Sequence, residues 1–276
     1  MKAVEVLSAQ DVNLILSALN EASAVDFRDY ARASLRDRIV RVAGLHRIQT
    51  VEEMVRRLRE GKDFPQKMIH EISFNTTEMY RDPGFWKYIR DRVLPDLAGR
   101  DRIRIWHAAC GTGEEVYSLN ILLESAGLLG RSECLATDLN VQALALARKG
   151  RFPVRSQKVH ELNWNAMGMG SELSAHHRIE NHAMVFDTDL VRNVSFERHD
   201  LGKDRVPGAF DLLLCRNAMI YFNPALQEKV IRKFVEGLNP GGYLGIGYKE
   251  SLPASVRGRR LDPVDPEEKI YKIALS

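Results

Sequence analysis

Apolar residues near the start of the chain recur at helical spacing. Val12, Leu14, Ile15, Leu16 and Leu19 predict one helix. Phe27 to Val42 fits a second, with Gly44 as its stop. Val51 to Arg59 fits a third, with Thr50 at its N-cap and Glu53 at the capping-box position. A further apolar stretch begins at Met68 to Ile72. Nothing here reads as a strand. Residues 1–72 therefore read as a helical N-terminal domain and residues 73–100 as an interdomain segment.

After Asp101 the pattern changes. Ile103 to Ala109, Glu133 to Thr137, Phe210 to Cys215, Tyr243 to Tyr248 and Lys269 to Ala274 read as short apolar strands. Glu115 to Leu128, Val141 to Lys149 (stopped at Gly150) and Leu226 to Leu238 have helical periodicity, and Asn239-Pro-Gly-Gly242 reads as a turn. Strands alternating with helices predict an α/β fold, a doubly wound sheet over residues 101–276. Its strands are continuously apolar, which requires cover on both faces. Residues 151–198 break the rhythm. Asn163 to Gly170 reads as a loop, and Ala183 to Phe186 and Val194 to Glu197 as strands. This stretch is expected to be a small inserted β-subdomain, partly antiparallel, on the ligand side of the sheet.

Composition narrows the class without choosing the chemistry. The 276 residues suit one or two domains, and 45% hydrophobic with 28% charged residues is ordinary for a globular enzyme. A net charge of +3 is too small to mark a nucleic-acid binder, so no nucleic-acid partner is expected. No apolar run approaches the roughly 20 residues of a membrane span, and the N-terminal MKAVEVLSAQD lacks a signal core. A cytoplasmic monomer without membrane insertion is expected. Cys110, Cys134 and Cys215 are odd in number, match no zinc or disulfide spacing and sit in apolar runs. They read as buried thiols, and no metal site is expected.

Four segments carry chemistry. The first is His107-Ala-Ala-Cys-Gly-Thr-Gly-Glu-Glu-Val-Tyr-Ser118, between a strand and a helix. Gly111 and Gly113 allow a tight turn and close ligand approach. Val116 stands where a dinucleotide fingerprint has its third glycine, and no Gly-Lys-Ser/Thr of a phosphate loop follows. Glu114 and Glu115 at the helix start would repel a pyrophosphate. A cationic ligand fits better, such as the ammonium and sulfonium of S-adenosylmethionine. The second is Ala136-Thr-Asp-Leu-Asn140, where Asp138 can accept ribose hydroxyls while Asn140 caps the next helix. The third is Asp211 to Asn223, whose strand delivers Arg216 and Asn217 to the same rim; a salt-bridged Arg and a turn-forming Asn remain an alternative. The fourth is Phe74 to Asp82, which alone reads as a helix cap at Thr76 or Thr77 with a surface arginine.

Together these segments resemble the chemotaxis receptor glutamate methyltransferase family, CheR-type. The resemblance rests on Asn75-x-Thr77 with Tyr80-Arg81-Asp82, Gly113-Glu-Glu-Val-Tyr-Ser118, Thr137-Asp138-Leu139, Cys215-Arg-Asn-Ala-Met-Ile-Tyr-Phe222 and Pro240-Gly-Gly242, and covers nearly the whole chain. It implies a Rossmann-like class I methyltransferase sheet, an all-helical N-terminal domain and an inserted β-subdomain. It further implies that Asn75, Thr77 and Arg81 reach the cofactor from the interdomain segment. Glu115 or Glu114 would hold its ammonium and Asp138 its ribose. Asp200 and Leu201 would lie near the adenine, with Arg216 and Asn217 completing the pocket. Departures are Met79-Tyr80 for the family's usual Phe-Phe, Asp200 for Asn, and Gly247-Tyr-Lys-Glu250 for Gly-His-Ser-Glu. The last lies near the chain's end and bears on substrate contacts rather than on the cofactor site.

Methyl transfer to a carboxylate is an in-line displacement on an acceptor already ionised at neutral pH, so no general base is required. Arg81 is expected to orient the acceptor or the cofactor, and Tyr221 to line the approach. Arg28, Arg32 and Arg36 repeat every four residues, and Arg38 and Arg41 extend a basic surface. In the family such a helix faces the acidic cytoplasmic helices of methyl-accepting chemoreceptors, the partner implied here. A solvated, partly self-paired helix is the plainer reading of the same residues. Two other classes stay open: a methyltransferase for a non-receptor protein or small molecule, and a non-catalytic module sensing S-adenosylmethionine or S-adenosylhomocysteine.

Overall fold

The computed structural model describes residue 4 and residues 7–73, 77–256 and 261–274, and its contacts divide the chain into two units. The first unit holds residues up to 74 together with Tyr221–Gln227, and the second holds the rest. Four helices build the first unit: α1 (Ala9–Ser23), α2 (Arg32–His46), α3 (Val51–Glu60) and α4 (Phe64–Ser73). Ser8 and Asp11 close a reciprocal capping box on α1. Val12, Ile15, Leu16 and Leu19 are buried, whereas Leu14, one step off that stripe, is 47% exposed. Burying each such aliphatic side chain contributes about 1.5–3 kcal/mol. Thr50 caps α3 by accepting the Glu53 N–H at 3.2 Å, and Glu53 returns its carboxylate to the Gln49 N–H, also 3.2 Å, rather than to Thr50.

Both expected ends of α2 need correction. Phe27 to Ala31 lie outside it, because Tyr30 forms a β-bridge with Phe222 and the Ala31 N–H donates to the Tyr221 carbonyl at 2.7 Å. The helix also runs through Gly44 and stops at Arg47, in left-handed conformation at φ 54°. The Ile48 N–H closes the end on the Ala43 carbonyl at 2.9 Å and buries Ile48. An exposed mid-helix glycine costs only about 1 kcal/mol, which that closure offsets.

The second unit begins with α5 (Pro83–Tyr88) and α6 (Leu94–Leu97), joined through a π-helical turn at Ile89–Val93. Phe85, Trp86, Ile89, Val93, Leu94 and Leu97 belong to this unit's core, so the expected interdomain segment is largely a core element. There follow β1 (Ile103–Ala108), α7 (Glu114–Ser125), β2 (Ser132–Asp138), α8 (Val141–Ala147), β3 (Arg151–Pro153), α9 (Gln157–Ala166), β4 (His177–Glu180), β5 (Ala183–Phe186) and β6 (Val194–Arg198). The chain ends with β7 (Phe210–Cys215), α10 (Pro224–Glu236), β8 (Leu238–Ile246), β9 (Leu261–Asp265) and β10 (Ile270–Ile273).

Seven strands form one mixed sheet in the order β6-β2-β1-β7-β8-β10-β9. The first five are parallel, and β10 and β9 are antiparallel. Every residue of β7 is buried, as a strand covered on both faces requires. The expected turn Asn239-Pro-Gly-Gly242 lies within β8, as an irregularity between the Phe210–Leu238 and Leu212–Tyr243 pairs.

A separate antiparallel sheet, β3-β5-β4, occupies the interruption. Its extent differs from the expected 151–198. Val194 to Arg198 pair with β2 in the main sheet, and Asn163 to Ala166 end helix α9 instead of forming a loop. Trp164 of α9 is buried against Tyr80, ring centroids 5.1 Å apart, which gives that helix its packing partner.

Candidate functional site

The parallel strands end at one rim of the main sheet, where open α/β sheets hold their ligands. After β1 the backbone turns through Ala109 (φ 62°), Gly111 (φ 57°) and Gly113 (φ 97°). A Cβ on Gly113 would lie 2.8 Å from the Ala147 Cβ, so both the turn and the closeness of α8 demand glycine. Below the turn, the Cys110 N–H donates to the Thr137 carbonyl at 2.8 Å. Asp138 at the tip of β2 accepts the Gly111 N–H on one oxygen and the Asn140 N–H on the other, each at 2.8 Å. Burial pushes its carboxyl above the ordinary range, with those N–H groups opposing. Asn140 caps α8 through the Gln142 and Ala143 N–H groups, so Asp138 is not the cap. The Thr77 methyl faces Gly111, 3.9 Å from where a Cβ would stand. Asn75 lies outside the described residues.

The two glutamates that open α7 differ. Glu114 is buried, receives the Thr112 hydroxyl at 2.6 Å, and is pushed by burial up to about 7. Burial also opposes the charge of Glu115, but His107, 3.1 Å from one carboxylate oxygen, and Arg216, 3.5 Å from the other, outweigh it and hold its carboxyl below the ordinary range. At neutral pH Glu115 is thus the secure anion of the pair.

Glu114 has a consequence for stability. Its pKa is raised in the folded chain, so its contribution is complete below about 4.5 and is lost as pH climbs through about 7. The shift corresponds to about 3 kcal/mol, of which relaxation and water entry return about half. Glu114→Gln, which keeps the acceptor for Thr112, is expected to stabilise the cofactor-free protein by about 1–2 kcal/mol at pH 8 and not at pH 4. Urea unfolding at both pH values reads this directly, and an equal gain at the two would exclude ionisation as the cause.

Arg216 sits between these elements with 4% of its side chain exposed. It donates to the Asp82 carboxylate and the Arg81 carbonyl, both at 2.8 Å, and lies over the Phe85 ring at 4.1 Å. A Cβ on Gly245 would meet that ring at 2.7 Å, so glycine in β8 lets Phe85 rest on the sheet. Arg81 lies between two left-handed residues, Tyr80 (φ 53°) and Asp82 (φ 59°). Such conformations cost about 1–3 kcal/mol each and persist where the surroundings enforce them. Here the Tyr80 N–H donates to Ser118 Oγ at 3.1 Å, Asn163 Nδ2 to the Met79 carbonyl at 2.9 Å, and the Trp86 indole to the Arg81 carbonyl at 3.0 Å. The Arg81 guanidinium is 3.6 Å from Glu78, and its charge opposes the rise at Glu114.

Asp200 and Leu201 follow β6, beside Asp138: the His199 N–H donates to the Asp138 carbonyl at 3.1 Å. The Asp200 carboxylate turns into its own loop, accepting the Gly202 N–H at 2.9 Å and the Lys203 N–H at 3.2 Å. Leu201 is buried, and its carbonyl accepts from Lys233 at 2.9 Å. Asn217 is left-handed at φ 59°. Sequence reasoning passed over Glu250 as the last residue of an atypical tetrapeptide. Its buried carboxylate accepts N–H groups from Gly247 (2.6 Å), Met219 (2.7 Å), Ile220 (3.2 Å) and Asn217 (3.3 Å), fixing the loop after β7.

The basic residues belong to the first unit. Arg28 precedes α2 and pairs with Asp26 at 2.6 Å, so it does not extend a helical stripe. Arg38 is not a surface cation: it is half-buried, donates to the Ile72 carbonyl, and lies over the Tyr221 ring at 4.2 Å. Burial lowers its pKa, with Tyr221 opposing. Arg32 and Arg36 are exposed on α2, and Arg41 pairs with Glu71 at 2.8 Å. Tyr221 clusters with this unit, whereas Arg81 lies in the second. Among the described residues no helix is long and apolar enough to cross a membrane.

Residues 75–262 match the CheR methyltransferase S-adenosylmethionine-binding domain, and residues 10–73 match the CheR methyltransferase all-alpha domain. The Pseudomonas putida protein Cher3 is 32% identical over 262 residues, covering 95% of this chain and 96% of its own. A chemotaxis protein methyltransferase of Listeria monocytogenes is 29% identical, covering 83% of this chain and 85% of its own. Chemotaxis protein methyltransferase 1 of Vibrio cholerae is 26% identical, covering 89% and 90%. With a two-carboxylate rim and an S-adenosylmethionine-binding domain match over most of its length, the chain belongs to the CheR family of S-adenosylmethionine-dependent methyltransferases.

Proposed function

We propose that this methyltransferase transfers methyl groups to glutamate side chains on the cytoplasmic helices of chemoreceptors. The observation that carries the reading is the likeness, over 83% and 89% of the chain, to proteins named chemotaxis protein methyltransferases. Bound S-adenosylmethionine supplies a methyl group made electrophilic by its sulfonium. Asp138 accepts its ribose hydroxyls, Glu115 is the counter-charge to its ammonium, and Thr77 and Arg81 close over the turn. Leu201 gives apolar cover beside Asp138. A glutamate acceptor arrives ionised, so the protein's task is to position it and to exclude water. Arg81, set between two strained residues, orients that carboxylate. Tyr221, held under Arg38 on the helical unit, is an aromatic contact for the receptor helix. Arg32 and Arg36 attract the acidic receptor helix and make docking salt-sensitive.

The test is transfer of labelled methyl groups to a purified receptor cytoplasmic fragment, beside a fragment with its acceptor glutamates replaced by alanine. Label is expected on the first and not on the second. Arg32→Glu with Arg36→Glu is expected to lower kcat/KM for the receptor about tenfold at low salt, by a factor that narrows at high salt, with S-adenosylhomocysteine affinity unchanged. Turnover only on a small molecule or an unrelated protein would sink the receptor reading. Tight cofactor binding without turnover on any acceptor would favour a sensing module.

A further inference from the structure

We infer that His107 is a positioning residue: through one hydrogen bond it fixes the orientation of the Glu115 carboxylate toward the cofactor's ammonium. The inference rests on Glu115 being that counter-charge. His107 is the next-to-last residue of β1, a strand in which Ile103, Ile105, Trp106 and Ala108 are buried and Arg104 is exposed, and it is itself 0% exposed. An imidazole placed so deeply is costly unless it is paired. Its Nδ1 lies 3.1 Å from Glu115 Oε1, and its Nε2 has no partner among the described residues. The hydrogen-bonding capacity of the ring therefore goes to Glu115 alone. An ionised carboxylate only accepts, so the nitrogen turned toward it, Nδ1, is the donor of this hydrogen bond.

Among the described residues the other Glu115 oxygen has only the longer 3.5 Å contact to Arg216, whose remaining hydrogen bonds go to Asp82 and to the Arg81 carbonyl. Removing the imidazole leaves the carboxylate pointed by that one distant guanidinium. The buried Cys110 and Cys215 thiols, which the Glu115 charge reaches and pushes up, offer it no compensating charge. Glu115 would then be ionised less readily and oriented less well. This also explains a polar residue inside an apolar strand: it serves the first turn of the following helix.

The experiment is calorimetric titration of S-adenosylhomocysteine between pH 5.5 and 8 on wild type, Glu115→Gln, His107→Leu and His107→Asn. The asparagine places an amide N–H near the position of Nδ1. Glu115→Gln tests the underlying reading separately, and wild-type affinity there would overturn that reading whatever His107 does. With binding lost in Glu115→Gln, His107→Leu is expected to bind about tenfold more weakly at pH 8, with a gap that widens on acidification. His107→Asn is expected to stay within about threefold of wild type with the same pH profile. Glu114 titrates over the same range in every variant, so the comparison is between variants. Wild-type behaviour of His107→Leu, or equal and pH-independent losses in both His107 variants, would overturn the inference. If His107→Leu does not fold, the imidazole nitrogen shifts of the wild-type protein decide: a proton on Nδ1 supports the inference, and a bare Nδ1 overturns it.

Discussion

Asp138→Ala is expected to weaken binding of S-adenosylmethionine and S-adenosylhomocysteine about 100-fold. A charged acceptor on a buried hydroxyl contributes about 1.5–3 kcal/mol, and Asp138 is proposed to meet two ribose hydroxyls. The alanine also removes the acceptor for the Gly111 and Asn140 N–H groups, each bonded at 2.8 Å. Gly111 lies in the turn that the ligand must approach, so part of the loss reflects loosening of that turn. Asp138→Asn separates the contributions. It keeps one carbonyl acceptor but replaces the other oxygen with a donor, and an intermediate loss of about tenfold is expected. Calorimetry at a temperature where all three proteins are folded measures each step. Wild-type affinity in the alanine variant would remove Asp138 from the pocket. It would also leave the buried carboxylate at the tip of β2 as a purely structural brace.

The comparison between sequence and structure divides along a physical line. Periodicity located helices whose buried stripe is set by their own residues, such as Val12, Ile15, Leu16 and Leu19 in α1. It failed where a distant partner decides. Phe27 to Ala31 have helical spacing but pair with the Tyr221–Phe222 segment, nearly 200 positions away in the chain. Val194 to Glu197 read correctly as a strand, yet only pairing with β2 shows that the strand closes the main sheet and does not belong to the insertion. Strand β9, Leu261–Asp265, contains Pro263 and three charged or apolar switches that hide it; it is tolerated as the sheet's outermost strand, where a missing N–H costs little. In the candidate site, Asp138, Glu114 and Glu115 stand out in the sequence because carboxylates after an apolar strand are locally conspicuous. His107 and Glu250 were not, because each acts on a residue far from it in sequence or across a turn.

Glu250 shows how much can rest on such a residue. Its carboxylate gathers four N–H groups from two loops, those after β7 and β8, and it is 5% exposed. Burial pushes its carboxyl up, with the four N–H groups opposing. Replacement by alanine leaves several buried donors without an acceptor, each costing about 1–3 kcal/mol before relaxation, so Glu250→Ala is expected to destabilise the protein by about 4 kcal/mol. For a unit of this size that corresponds to a fall in Tm of about 8–16 °C. Glu250→Gln is expected to recover only about half of the loss, because its amide NH2 would face N–H donors on one side. The same loop carries Arg216, which in turn contacts Glu115 and Asp82, so S-adenosylhomocysteine affinity measured on folded Glu250→Ala should also fall, by about 3–10-fold. A thermal scan and a titration on one preparation separate the two effects. A large fall in Tm with unchanged affinity would confine Glu250 to holding the fold, and an unchanged Tm would mean that water can take over all four N–H groups, which the burial of those from Met219 and Gly247 argues against.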